Sequence, residues 1–174
     1  SVSEKIINNF NCNPIQPDDI QLKAQGNKVR VIDVEDGQLI TKESQAELKI
    51  DSDGFVRSDV AQDVLKMVVV NRYNPAPPAI AFVRNFGLKS GALASSVGHD
   101  SHNIIAVGIN DADIVKAVNL IIAEQGGVSL ATSDEGLIVS LPVAGLMSAE
   151  DGYKVGADYE KLDLRSKELG VTLH

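Results

Sequence analysis

Apolar and polar residues alternate with a period of two through "KVRVIDV" (28–34), where Val29, Val31 and Asp33 fall on one side and Arg30, Ile32 and Val34 on the other. The alternation predicts a largely buried β-strand, and "EDG" (35–37) supplies the turn after it. "QLITKE" (38–43) and "AELKI" (46–50) predict two further short strands, separated from the next element by the Asx and Gly chemistry of "DSDG" (51–54). No Glu follows that turn at the spacing a calcium loop requires. "DVLKMVVVNRY" (63–73) is compatible with a short helix or a strand, and the β-branched run Val68 to Val70 decides for a strand at its end. The prolines of "NPAPPA" (74–79) forbid regular structure. Beyond them, "AIAFVRNF" and "ALASSVG" read as strands joined by the glycine-bearing turn "GLKSG", and "NIIAVGI" (103–109) as one more.

The period then changes to that of a helix in "NDADIVKAVNLIIAEQGG". Asn110 or Asp111 can cap it, Asp113 suits its positive end, Ile114, Val118, Ile121 and Ile122 form an apolar stripe, and Gly126 with Gly127 ends it. "VSLAT", "SDEG" and "LIVSLP" predict a hairpin. Ser148 with Asp151 resembles a capping box opening a last helix that runs to Leu169, with a break or close packing contact expected at Gly152 or Gly156. The expected fold is therefore α/β or α+β, a mixed sheet with about two to three helices and a strand-rich N-terminal part. A single domain is expected over residues 1–174, with an irregular lead-in (1–27), short strands (28–60) and a mixed core (61–174).

Composition narrows the class. With 174 residues, 44% hydrophobic and 23% charged, the chain is large enough to bury a core and balanced like a globular protein. A net charge of −8 without a compensating basic cluster argues against a nucleic-acid partner. No apolar run reaches the roughly 18 residues of a membrane helix, and "SVSEKIINNF" lacks the build of a signal peptide, so a cytoplasmic protein without a membrane partner is expected. The start at Ser1 without an initiator Met suggests a processed chain or one cut from something longer.

Candidate chemistry concentrates in "SSVGHDSHN" (95–103), which holds two of the three histidines. His99 and His102, three residues apart in a turn, can face one ion with Asp100 as third ligand or orienting group, an accessory metal site. His99 with Asp100 can equally act as a general base, with Ser101 a nucleophile in principle. A third reading is a polar turn that braces two strands through hydrogen bonds. Spacing alone does not separate the three. Arg57, Arg72 and Arg84 read as solvated or surface-paired cations, and Cys12 as an incidental thiol.

The run "GLKSGALASSVGHDSHNIIAVGINDADIVKAVNLI", with "LPVAGLMS", "NNFNCNPIQPDDI", "KVRVIDVEDGQLITKE" and "VVVNRYNPAPPAIAFVRNFGLKSG", resembles the C-terminal region of bacterial-type adenine deaminases. The resemblance implies an enzyme of the amidohydrolase superfamily that hydrolyses adenine to hypoxanthine and ammonia with manganese or iron held in a (β/α)8 barrel. Such a barrel needs about 250 residues and has no counterpart here, so the barrel domain becomes an expected partner, adenine the expected substrate, and a homo-oligomer a further expectation. The resemblance also implies that family chains continue past "LGVTLH". Carried over by motif, His99, Asp100 and His102 are candidate catalytic residues, and Ser95, Ser96, Ser101 and Asn103 candidate substrate-facing ones; Gly98 stands where the family pattern has Ala. The alternatives are a non-catalytic binding or oligomerisation module, and a small hydrolase built on His99 and Asp100 alone.

Overall fold

In the computed structural model, which describes residues 7–173, the period-two runs form eight strands: β1 (Lys28–Asp33), β2 (Lys42–Glu47), β3 (Val64–Val70), β4 (Ala79–Arg84), β5 (Ala92–Ser95), β6 (Ile104–Gly108), β7 (Gly127–Ala131) and β8 (Gly136–Ser140). Two α-helices, α1 (Asp111–Glu124) and α2 (Gly152–Glu168), and a 3-10 turn at Pro17–Ile20 complete the described elements. The strands join in one sheet in the order β2-β1-β4-β3-β6-β5-β7-β8, antiparallel throughout except for β1 beside β4. This is the mixed-sheet α+β fold expected from the pattern. The opening residues of "SVSEKIINNF" lie outside the described residues up to Ile6.

Residues 38–50 depart from expectation. One strand, β2, forms across the boundary between the two expected, because its partner fixes its length: β1 pairs from Lys28↔Glu47 to Asp33↔Lys42, and the ladder stops there. Leu39 and Ile40 consequently stand in solvent at the hairpin tip, 102% and 80% exposed. The parallel joint of β1 to β4 is equally short, with Ile32 opposite Val83 and Asp33 opposite Arg84. Away from this joint the two strands part around a cleft of about 580 Å³ reached by Arg30, Ile32, Ile80 and Ala81.

Asn110 caps α1 as expected. Its side chain accepts the Asp113 N–H at 2.9 Å and donates to the Asp113 carboxylate at 2.7 Å, so cap and first turn hold each other. The helix ends one residue before the glycines, with Gln125 itself in the left-handed conformation (φ 58°) and its N–H turned back to Ile121 and Ile122. At α2 the cap is Asp151, which accepts from Tyr153 N and Lys154 N, while Ser148 bonds only Glu150 N. No break occurs in α2, and a side chain at Gly152 or Gly156 would meet open space, so neither glycine marks a packing contact.

The core divides by sheet face. Ile20, Val68, Ala94, Ile104, Ile114 and Ile121 pack between α1 and one face; Leu65, Val83, Leu88, Leu130, Val139 and Leu162 pack on the other, under α2; Val31, Leu48, Val56 and Phe82 fill the corner near β1 and β2. Each fully buried aliphatic side chain stabilises the fold by about 1.5–3 kcal/mol relative to exposure. The lead-in is irregular but docked: Ile15 and Ile20 are buried, and Asn119 of α1 exchanges two hydrogen bonds of 3.0 Å with the Ile15 backbone.

Lys66 lies on the α1 side of β3 between Val64 and Val68, only 1% exposed. Its ammonium donates to Ile20 O at 2.9 Å and to the Asp111 carboxylate, whose other oxygen takes Arg57. Burial pushes the Lys66 ammonium below its ordinary value, against the pull of Asp111. Held by these two acceptors, the group braces the lead-in, β3 and the start of α1.

Candidate functional site

Strand direction decides what meets the polar loop. β5 ends and β6 begins around residues 96–103; Val70↔Ile104 and Ser95↔Val128 bring the end of β3 and the start of β7 to the same edge. Asn71 to Tyr73, the loop 141–147 and Asn8 to Asn11 close around it through named hydrogen bonds. Most stretches that carry the resemblance thus converge at one end of the sheet.

Ser96 is wholly buried and ties three segments: its hydroxyl donates to Gly145 O at 2.6 Å and accepts Gly127 N at 2.9 Å, while its own N–H donates to Gly127 O. It acts as a brace, out of reach of solvent. Ser95 accepts the Val97 N–H, and Ser101 the Asn103 N–H, so both hydroxyls shape the turn. Asn103 accepts the Arg72 N–H through Oδ1 at 3.4 Å. A side chain added at Gly98 would press on the flexible tip of Ile105 at 2.8 Å, a contact that Ile105 relieves by turning aside.

His99 and Asp100 point into solvent, with side chains 89% and 87% exposed, and touch through Nδ1 and Oδ1. His102 folds back. It adopts a left-handed backbone (φ 52°), donates its N–H to Gly98 O at 2.7 Å, and sets its ring edge-on to His99 with centroids 6.4 Å apart. No group of three or more His, Cys, Asp or Glu among the described residues converges to hold a metal. The manganese or iron implied by the resemblance therefore does not fit the residues of this loop as they stand.

Arg72 corrects the reading of a solvated cation. It is 3% exposed and has no carboxylate partner among the described residues; Nη1 donates to Ala144 O at 2.9 Å, Nη2 to the Tyr73 hydroxyl at 3.0 Å, and the guanidinium lies over the rings of Phe10 and Tyr73 at 5.5 and 4.8 Å. Aromatic faces supply the negative potential that a carboxylate would otherwise provide. Tyr73 passes the contact on by donating to Ser101 O at 2.8 Å. Gly145 is required here, because a Cβ would lie 1.6 Å from Nη1 of Arg72. The buried side-chain atoms left without a hydrogen-bond partner among the described residues, Asn8 Oδ1, Arg72 Nε and His102 Nδ1, all sit at this end of the sheet. Buried polar groups are as a rule hydrogen-bonded, so three such atoms at one sheet end set it apart from the rest of the described residues. Arg57 and Arg84 are paired, with Asp51 and Asp111 and with Asp33 respectively. Cys12 is half-buried, and that burial pushes its thiol above the ordinary value, away from reactivity.

Fold and loop together define an α+β domain whose polar residues gather on a braced turn at one sheet end. The chain belongs to the adenine deaminase C-terminal domain family, whose sequence profile matches residues 38–174. It is 46% identical over 162 residues to the adenine deaminase of Parabacteroides distasonis, covering 93% of this chain and 30% of that relative. The adenine deaminases of Methanosarcina barkeri and Salinibacter ruber are 46% and 44% identical over 174 residues, covering 95% and 99% of this chain and 31% and 32% of theirs. The chain spans about a third of the length of these relatives. Among the described residues no helix is long and apolar enough to cross a membrane.

Proposed function

We propose that the chain is the C-terminal domain of a metal-dependent adenine deaminase of the amidohydrolase superfamily, a cytoplasmic hydrolase that converts adenine and water to hypoxanthine and ammonia. The observation that carries this reading is coverage: similarity extends over nearly all of this chain and about a third of each relative. The manganese or iron belongs to the remaining two thirds, in a barrel domain, and no step of the reaction passes through a metal held by this chain. Its own contribution is the turn 98–103, set against the barrel mouth, where His99 and Asp100 are free to meet the purine or relay a proton and His102 holds the turn's shape. Arg72, Tyr73 and Ser96 position that turn.

Ammonia release from adenine tests the reading. The 174-residue chain alone in manganese buffer is expected to be silent, and the intact enzyme active. Changing His99, Asp100 and His102 together to Ala in the intact enzyme is expected to lower turnover at least tenfold. Unchanged turnover and metal content would remove the loop from the reaction, and activity of the isolated chain would move the catalytic centre into it.

A further inference from the structure

Strand β3 reads Val-Leu-Lys-Met-Val-Val-Val, apolar at nearly every position, which is the composition of a strand covered on both faces. One face is covered by α1 together with the lead-in residues Ile15 and Ile20. On the other, α2 packs against β8 and reaches β7, and the core beneath it takes in Leu65 of β3 and Val107 of β6 but leaves the rest of that face of β3 and β6 only partly covered. Met67, Val69 and Ile105 there remain half-buried, and Val97 at the edge is 48% exposed. An apolar cleft of about 370 Å³ runs between this face and α2, bounded by Leu93, Ile105 and Tyr159, with Val97 and Gly98 of the polar loop at its end.

We infer that this half-covered face is the surface on which the larger part of the deaminase docks, an inference that rests on the function proposed above. The length of the relatives supplies the occupant: roughly two thirds of each lies outside the region matched here. An antiparallel region that faced water would alternate apolar and polar residues, and β3 and β6 do not. An apolar helix of the larger part, laid beside α2 at the usual spacing of about 8–10 Å, covers Met67, Val69 and Ile105. Docking there also carries His99 and Asp100 to the rim of the interface, where exposed side chains reach a substrate held by the other domain.

Thiol labelling reads this surface without risk to folding. The variants Val97→Cys and Tyr159→Cys place probes along the cleft, and Leu164→Cys, 57% exposed on α2 and absent from the cleft lining, is the control. Each is labelled with a maleimide in the isolated chain and in the intact enzyme, and quantified peptide by peptide. The expected result is equal, rapid labelling of all three in the isolated chain and at least tenfold slower labelling at 97 and 159 in the intact enzyme, with 164 unchanged. Equal labelling at 97 and 159 in both forms overturns the docking surface while leaving the function reading intact. Protection that appears in the isolated chain as its concentration rises, with dimers in sedimentation, assigns the face to a second copy and overturns the occupant. Failure of the function reading shows separately, as an intact enzyme that releases no ammonia from adenine.

Discussion

Arg72 and Lys66 are both cations removed from water, and they are compensated in different ways. Lys66 has Asp111, so the pair must be changed together. Asp111→Ala leaves an ammonium buried without its counter-ion and is expected to cost about 3–5 kcal/mol in urea unfolding, whereas Lys66→Met combined with Asp111→Leu recovers most of that loss. Because burial lowers the folded-state value of Lys66 beneath its ordinary 10.5, the folded protein holds this proton less tightly than the unfolded chain. Its contribution is therefore least favourable below the folded value and improves as pH rises from there toward 10.5; a melt series in Lys66→Met is expected to lose this alkaline rise. Arg72 relies instead on two aromatic rings and two oxygens, and Arg72→Ala is expected to cost about 3 kcal/mol, with Lys recovering only part because it lacks the planar fork. At this scale the sequence made the polar turn legible and the buried cations illegible. "HDSH" is unusual in type and spacing, but a lone Arg after an apolar strand looks the same whether its next neighbours in space are water or rings.

Elements were read best where local chemistry decides them. Helix α1 carries cap, dipole and stripe in its own residues, and its cap prediction is direct: Asn110→Ala is expected to lower stability by about 1 kcal/mol, measured by thermal or urea unfolding, since it frees the Asp113 N–H. The strands from β3 onward likewise follow their apolar runs. β2 was less legible because strand length there is set by its partner, which no window of sequence contains. The cap of α2 shifted from Ser148 to Asp151 for a related reason, since two polar residues compete and only the backbone path selects one. The half-covered face of β3 and β6 was legible only as an excess of apolar residues, whose meaning depends on what lies beside α2.

For the whole molecule, the family was legible because "SSVGHDSHN" and its companion stretches span nearly the entire chain, and the fold explains why most of them go together: all but the β1–β2 hairpin reach one sheet end. What remained illegible was which side of the sheet is left half-covered. A different consequence comes from the two-residue parallel joint between β1 and β4. The β1–β2 hairpin is held there by its own corner of the core, Val31 and Ala46 against Val64 and Phe82, while the packing beneath α1 and α2 involves neither hairpin strand, so its tip lies outside every cluster. Chymotrypsin is expected to cut first after Leu39 at the bare tip, and circular dichroism of the nicked protein to keep its folded signal. The hairpin tip is thus where the chain tolerates insertion, tagging or cleavage, and where a probe can be carried without disturbing the braced turn at the far end.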